Sequence, residues 1–186
     1  MQDKYDPELL KNGDTRNVAD EFRNMTVEAI RDELDTHRHS VHVAIENFQH
    51  DFNIGTIVRN ANAFNVSAVH IIGKRHWNRR GAMATEKYLH VYHHASIEAF
   101  MAALPSEHAV IGIDNIEGSV ELGQTPLPQK VVLVFGGEGP GLSAAMREQC
   151  ESIIAIEQFG STRSVNVGVA SGIVLYQWVR QHILKT

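Results

Sequence analysis

The sequence contains a single cysteine, Cys150, so no disulfide can close within the chain, and no neighbouring histidine marks the thiol as a nucleophile. We read Cys150 as a packing residue ahead of a strand. Long apolar runs are also missing. Nothing approaches the roughly 18 residues that a membrane-spanning helix needs, and residues 1–10 are polar rather than basic and then apolar, as a secretion signal would be. A cytoplasmic location is the expectation. Positive charge is in deficit, with a formal net charge of −5, which argues against a protein that coats nucleic acid through bulk electrostatics. Any contact with RNA must then be local. Repeats and low-complexity tracts are absent. What remains is the composition of an ordinary globular chain: 186 residues, 43% hydrophobic and 21% charged, enough for one domain with a full core.

Residues 1–40 are charged and poor in apolar side chains, apart from an amphipathic helix expected at Val27–Leu34. We expect them to form an amino-terminal extension to a domain spanning 41–186. Within that domain Val41, Val43 and Ile45 alternate as in a strand, and Ile54, Ile57, Val58, Ala61 and Phe64 share one helical face. Ala68–Ile72 reads as a strand, Ile97–Leu104 as a short helix and Ala109–Ile113 as a strand. Pro126 and Pro128 break the chain before Val131–Phe135, an unbroken apolar run of the kind found in a parallel sheet covered on both faces. A short helix from Ser143 to Gln149, a strand at Ser152–Ile156 and a closing helix from about Asn166 to Leu184 complete the alternation. The fold class is therefore α/β, with a mainly parallel sheet and helices on both faces.

Three segments carry polar residues in patterns that suggest chemistry. Four glycines follow the buried strand in Phe135-Gly136-Gly137-Glu138-Gly139-Pro140-Gly141-Leu142-Ser143, where open α/β sheets bind ligands. The spacing is neither the dinucleotide fingerprint nor a Walker loop, and a plain tight turn would also explain it. In Ser164-Val165-Asn166-Val167-Gly168-Val169-Ala170 a polar loop runs into a helix of small residues suited to close packing. Ser164 is placed there as a helix N-cap, while the amide of Asn166 offers both donors and acceptors to a ligand. In the helix beginning near Asn53, Arg59 projects away from the apolar face. It is either a solvated arginine or, beside Asn53, Asn60 and Asn62, a group suited to a phosphate or a ribose hydroxyl. Elsewhere, Lys74, Arg75, Trp77, Arg79 and Arg80 form a basic patch around one aromatic ring. This patch is either a solvated loop or a place where RNA is held.

In this order and spacing the three segments resemble the SPOUT superfamily of RNA methyltransferases, in its SpoU or TrmH branch, over nearly all of residues 41–184. Asn53, Gly55 and Arg59 match the first motif. Gly136, Glu138, Gly141, Leu142 and Ser143 match the second, and Ser164–Ala170 the third, with Val165 and Gly168 as departures. Where the family commonly has Ile-Pro-Met, this chain has Ile156-Glu157-Gln158-Phe159. The resemblance implies a carboxy-terminal trefoil knot, a homodimer, and S-adenosylmethionine held by Phe135, Gly136, Gly137, Gly141, Ile156, Gln158, Ser164 and Val165. It also implies methylation of a ribose 2′-hydroxyl, with Arg59, Asn53, Glu138, Ser164 and Asn166 as the catalytic set. A guanidinium is a poor base, so we assign Arg59 the role of stabilising the developing alkoxide while gripping a phosphate.

The alternatives are a cofactor-binding RNA-binding protein of the same fold without catalysis, and a metabolic enzyme acting on a small nucleotide. Transfer RNA is favoured over ribosomal RNA, because residues 1–40 are too short for the separate RNA-binding domain that many ribosomal enzymes carry. The histidines at 37, 39, 42, 90, 93 and 94 show no metal-ligand spacing. We read them as surface imidazoles and expect no metal.

Overall fold

The computed structural model describes residues 4–48, 53–137 and 139–184. The strands are β1 (His39–Asn47), β2 (Val66–Gly73), β3 (Val91–His94), β4 (Ala109–Ile113), β5 (Val120–Glu121), β6 (Val131–Phe135) and β7 (Ser152–Ala155). They form one seven-stranded sheet in the order β3-β2-β1-β6-β4-β7-β5, and every pairing within it is parallel. The helices are α1 (Pro7–Asn12), α2 (Val27–Asp35), α3 (Ile54–Ala63), α4 (Ile97–Ala103), α5 (Ala144–Gln149) and α6 (Val167–Val179), the last continuing into a π-helical turn at Arg180–Leu184.

Alternation along each strand sends its side chains to two separate cores. Val43, Ile45, Leu133 and Phe135 pack with Ile54, Ile57 and Val58 of α3 and with Val174, Leu175 and Trp178 of α6. On the opposite face Ala44, Val132 and Val134 pack with Ile97 and Phe100 of α4 and Met146 of α5. The expected layers are present, with element ends displaced by one or two residues. The strand β3 and the two-residue β5 were not anticipated, because neither carries an apolar run.

Described residues ahead of β1 pack on the body. Met25 and Ile30 share a small core with Tyr88, and Arg38 bridges Asp35 and the Tyr88 carbonyl at 2.5 and 2.8 Å. The Arg16 guanidinium, bonded to Asp14 at 2.7 Å, holds that buried carboxyl well below the usual carboxylate range. Cys150 is partly buried, donates to the Met146 carbonyl at 3.2 Å, and has its thiol pushed up to about 12 by burial, as suits a packing residue.

Two expectations need correction. Ser164 is not the cap of the closing helix. That helix starts at Val167, and Asn166 caps it, its Oδ1 accepting from the backbone N–H groups of Gly168 and Val169 at 2.9 and 3.3 Å. The Asn166 amide, held in place by Asn53, reaches the free N–H groups of the first turn and so sets the start at Val167.

The histidines are not all surface imidazoles either. His42, His70 and His94 lie across β1, β2 and β3 as a chain of ring contacts, His42 Nδ1 to His70 Nε2 at 3.1 Å and His70 Nδ1 to His94 Nε2 at 2.9 Å. His70 is 4% exposed, and Phe100 of α4 packs edge-on against it. Parallel pairing of three strands aligns residues that are scattered in the sequence.

Candidate active site

The ends of β1, β6 and β4 meet where the path of the chain across the sheet reverses. From β1 the chain moves outward to β2 and β3, and it then crosses to β4 on the other side. Ligands of open α/β sheets bind in such a crevice. A cavity of about 520 Å³ opens there, within the range of roughly 300–1,000 Å³ usual for small-molecule sites.

One wall is the glycine turn after β6. Gly137 and Gly141 exchange backbone hydrogen bonds of 3.1 Å in both directions, which closes the turn tightly. A Cβ on Gly136 would lie 2.1 Å from the Gly141 carbonyl carbon, so no larger residue fits. Gly141 adopts φ +69°, a conformation that side chains disfavour.

Two carboxylates fasten this turn from neighbouring strand ends. Asp114, just beyond β4, accepts from Leu142 N at 2.8 Å. Glu46 of β1, 2% exposed, accepts from the backbone N–H of Ser143 at 2.8 Å and from its hydroxyl at 2.6 Å. Ser143 in turn caps α5, accepting from Met146 N at 3.2 Å. The turn is therefore a held shape rather than a loose loop.

The opposite wall combines residues 156–166 with the start of α6. It is partly apolar, with Ile156, Val165, Val167 and Ala170. Asn115 ties it to the end of β4 by donating to the Arg163 carbonyl at 2.8 Å. Gln158 contributes a buried Oε1 that has no hydrogen-bond partner. An unsatisfied buried acceptor is costly, and a ligand donor in the cavity would relieve it.

The first and third segments are joined directly: Asn166 Nδ2 donates to Asn53 Oδ1 at 3.0 Å. Deeper along the same contact, Asn60 Nδ2 donates to the Gly168 carbonyl and to Ser171 Oγ at 2.8 and 2.9 Å, locking α3 to α6. Asn60 thus serves helix packing rather than facing a ligand.

Phe135, Gly136, Gly137, Gly141, Ile156, Gln158, Ser164, Val165 and Asn166 all line the cavity. Asn53 stands beside it through Asn166. Glu138 lies outside the described residues. Arg59 is exposed on α3, outside the cavity lining, and makes no hydrogen bond or ion pair with the described residues. Sequence reasoning missed Glu46, Asp114, Asn115 and Arg163, of which the last three line the cavity. Their signal was available: Glu46-Asn47 and Asp114-Asn115 are polar pairs directly at the carboxyl ends of apolar strands.

The basic loop follows β2. Asn47 pins it, donating from Nδ2 to the carbonyls of Lys74 and His76 at 2.7 and 3.0 Å. Lys74, Arg75, Arg79 and Arg80 are exposed, and Arg79 sits 5.6 Å from the centroid of the half-buried Trp77 ring. The loop ends in a 3-10 turn, Arg79–Ala82, packed on the first turn of α3, where a Cβ on Gly55 would lie 2.8 Å from Ala82 N. The cations therefore stand on the same flank as the helix that carries Arg59. Among the described residues no group of three or more His, Cys, Asp or Glu side chains is placed to hold a metal ion, and no helix is long and apolar enough to cross a membrane.

A parallel α/β domain with a glycine-walled cavity at its strand ends, and a basic loop on the adjoining helix, is a ligand-binding domain suited to working beside a polyanion. The profile of the SpoU rRNA Methylase family matches residues 40–176, and the chain belongs to that family. It is 31% identical over 134 residues to the 23S rRNA (guanosine-2′-O-)-methyltransferase RlmB of Salmonella typhi, covering 69% of this chain and 55% of that one. It resembles a solved structure from work on the 2-OH methylation of C/U34 on tRNA, with TM-score 0.69 and 25% identity over 77% of this chain and 96% of that one. It also resembles the SpoU methyltransferase AviRb of Streptomyces viridochromogenes in complex with AdoMet, with TM-score 0.66 and 26% identity over 79% and 60% of the two chains. The chain spans about half the length of the curated relatives it matches.

Proposed function

We propose that this protein transfers the methyl group of S-adenosylmethionine to a ribose 2′-hydroxyl of structured RNA. The observation that carries the reading is the cavity itself, which brings together all eight residues expected to hold the cofactor. The residues present fit it. The turn at Gly136 and Gly137 lets backbone approach a ligand closely, and the unpartnered Gln158 Oε1 suits the amino group of an adenine.

When bound, the cofactor supplies an electrophilic sulfonium methyl, so the protein's task is to orient the hydroxyl and ease loss of its proton. Asn166, fixed by its cap bonds and by Asn53, orients the ribose at the mouth of the cavity. Ser164 orders the loop beside it, and Glu138 positions Arg59. Arg59 extends from the solvent side of α3, roughly 9 Å along the helix from Asn53 at 1.5 Å per residue. From there it grips a phosphate of the strand lying across α3 and stabilises the developing alkoxide. The loop from Lys74 to Arg80 holds flanking RNA, with Arg75, Trp77, Arg79 and Arg80 in contact.

In this reading residues 41–186 are the methyltransferase domain, residues 1–40 an extension, and the segment around α6 is threaded as a trefoil knot. The protein is cytoplasmic and homodimeric. A homodimer is supported by Val169, Ile173 and Tyr176, which leave one stripe of α6 exposed at 55%, 39% and 52%. Transfer RNA is the favoured substrate, a choice supported by the 25%-identical solved structure from work on the 2-OH methylation of C/U34 on tRNA. Mapping 2′-O-methyl groups in transfer and ribosomal RNA from cells with and without the gene tests this. A position lost from transfer RNA supports the reading, and an unchanged map in both RNAs overturns it.

A further inference from the structure

Asp114 and Arg163 are the only charged side chains among the described residues that line the large cavity. The rest of that lining is apolar side chains, glycines and uncharged polar groups. The two carry opposite signs, and Arg163 stands on the wall facing the turn that Asp114 holds. Neither forms an ion pair with a described residue. Asn115 keeps them at one end of the cavity: its backbone N–H donates to Asp114 Oδ1 and its side-chain amide to the Arg163 carbonyl, both at 2.8 Å.

Both groups retain binding capacity. Asp114 is half-buried, and each of its oxygens accepts one hydrogen bond, Oδ1 from Asn115 N and Oδ2 from Leu142 N, whereas a carboxylate oxygen has two lone pairs to offer. Arg163 is exposed, and its guanidinium donates to no described residue. A carboxylate drawn partly out of water beside a neutral lining is costly unless a cation meets it. One charge of each sign, held apart rather than paired, is complementary to a zwitterion that presents an ammonium and a carboxylate from one carbon.

We propose that Asp114 and Arg163 read the amino-acid end of S-adenosylmethionine, its ammonium meeting Asp114 and its carboxylate meeting Arg163. The inference rests on the cofactor reading above and adds two specificity-determining residues to it. The eight residues expected to hold the cofactor are all uncharged, so they serve the adenosine and leave the charged tail without a partner.

The test uses the full chain and three thioethers that share the adenosine and differ only in the tail. S-adenosylhomocysteine carries the ammonium and the carboxylate, its decarboxylated form S-adenosyl-3-thiopropylamine keeps the ammonium alone, and 5′-methylthioadenosine has neither. Calorimetry on the wild type should give affinities falling in that order, by about tenfold at each step. Arg163→Ala should weaken S-adenosylhomocysteine about tenfold and leave the other two unchanged, since neither has a carboxylate to lose. Asp114→Asn keeps an oxygen for the Leu142 N–H; it should weaken the two ammonium-bearing ligands about tenfold and leave 5′-methylthioadenosine unchanged. Unchanged binding of 5′-methylthioadenosine also reports that the cavity keeps its shape. Equal affinity of the wild type for all three ligands would overturn the proposal and leave the cofactor reading standing. An equal loss across all three ligands in a variant would overturn the role given to the residue changed, which would then only shape the wall. If the wild type binds none of the three and no S-adenosylmethionine, the cofactor reading and the proposal both fail.

Discussion

Acidification should unfold this protein through the histidines that the parallel sheet stacks against α4. Burial pushes His70 down to about 3 and His42 to about 4, with neighbouring imidazoles adding to the shift. An unfolded imidazole titrates near 6.5. Between those values the unfolded chain takes up protons that the folded chain refuses, so stability is complete above pH ~6.5 and is lost as the pH falls. Integrated from pH 7.5 to 5, the imbalance is about 2 kcal/mol for each imidazole that stays neutral in the fold. His70 should deliver that amount and the less buried His42 somewhat less, so the total is about 3 kcal/mol. Carboxylates contribute little in this window, because the carboxyl held lowest, that of Asp14, regains its proton only at more acid pH. The loss is a large part of the roughly 5–15 kcal/mol that holds a domain folded. Urea unfolding followed by far-ultraviolet circular dichroism at half-unit steps of pH reads it directly. His70→Phe, which keeps a ring against Phe100 and Tyr92, should reduce the pH dependence by about 2 kcal/mol. A stability that stays flat from pH 7.5 to 5 in the wild type would mean that His42 and His70 take up protons in the fold as readily as in the unfolded chain.

Three further outcomes follow from the site. Arg59→Lys should lower the rate of methyl transfer about 100-fold while leaving cofactor affinity and stability unchanged, since Arg59 is exposed and makes no hydrogen bond or ion pair with the described residues; near-full activity would remove the role assigned to its planar fork. Gly136→Ala should abolish cofactor binding in calorimetry, because the added Cβ would lie 2.1 Å from the Gly141 carbonyl carbon and force the turn open; a normal titration would show that the turn does not shape the cavity. Asn166→Ala removes two cap bonds and the link to Asn53, and should cost about 1–2 kcal/mol in urea unfolding in addition to lost transfer.

The layers of the fold were legible because burial imposes a pattern. Val131–Phe135 and Ala109–Ile113 are apolar at nearly every position, and both prove to be inner strands. Val91–His94 carried no such pattern, because an edge strand with Tyr92 and His93 exposed needs none. His42, His70 and His94 are dispersed in the sequence and become neighbours only when three strands pair, so no local reading finds them. At the site, the glycine turn and the third segment announced themselves by residue type and order. Ser164 was assigned the cap because serine is a common N-cap, whereas Asn166 takes that place with its amide held by Asn53, a partner 113 residues away in the sequence. Glu46 and Asp114 act by gripping the turn from adjacent strands, which depends on β1, β6 and β4 lying side by side.

Methyl transfer to a ribose hydroxyl leaves a product that RNA chemistry reads directly. Purified protein, S-adenosylmethionine carrying a tritiated methyl group and unmodified transfer and ribosomal RNA test it, with the product digested in alkali. A methylated 2′-oxygen cannot attack the neighbouring phosphodiester, so the label should appear in an alkali-resistant dinucleotide and be absent when Arg59→Ala replaces the wild type. Label in mononucleotides, which would place the methyl group on a base, or no label in either RNA, would contradict the account.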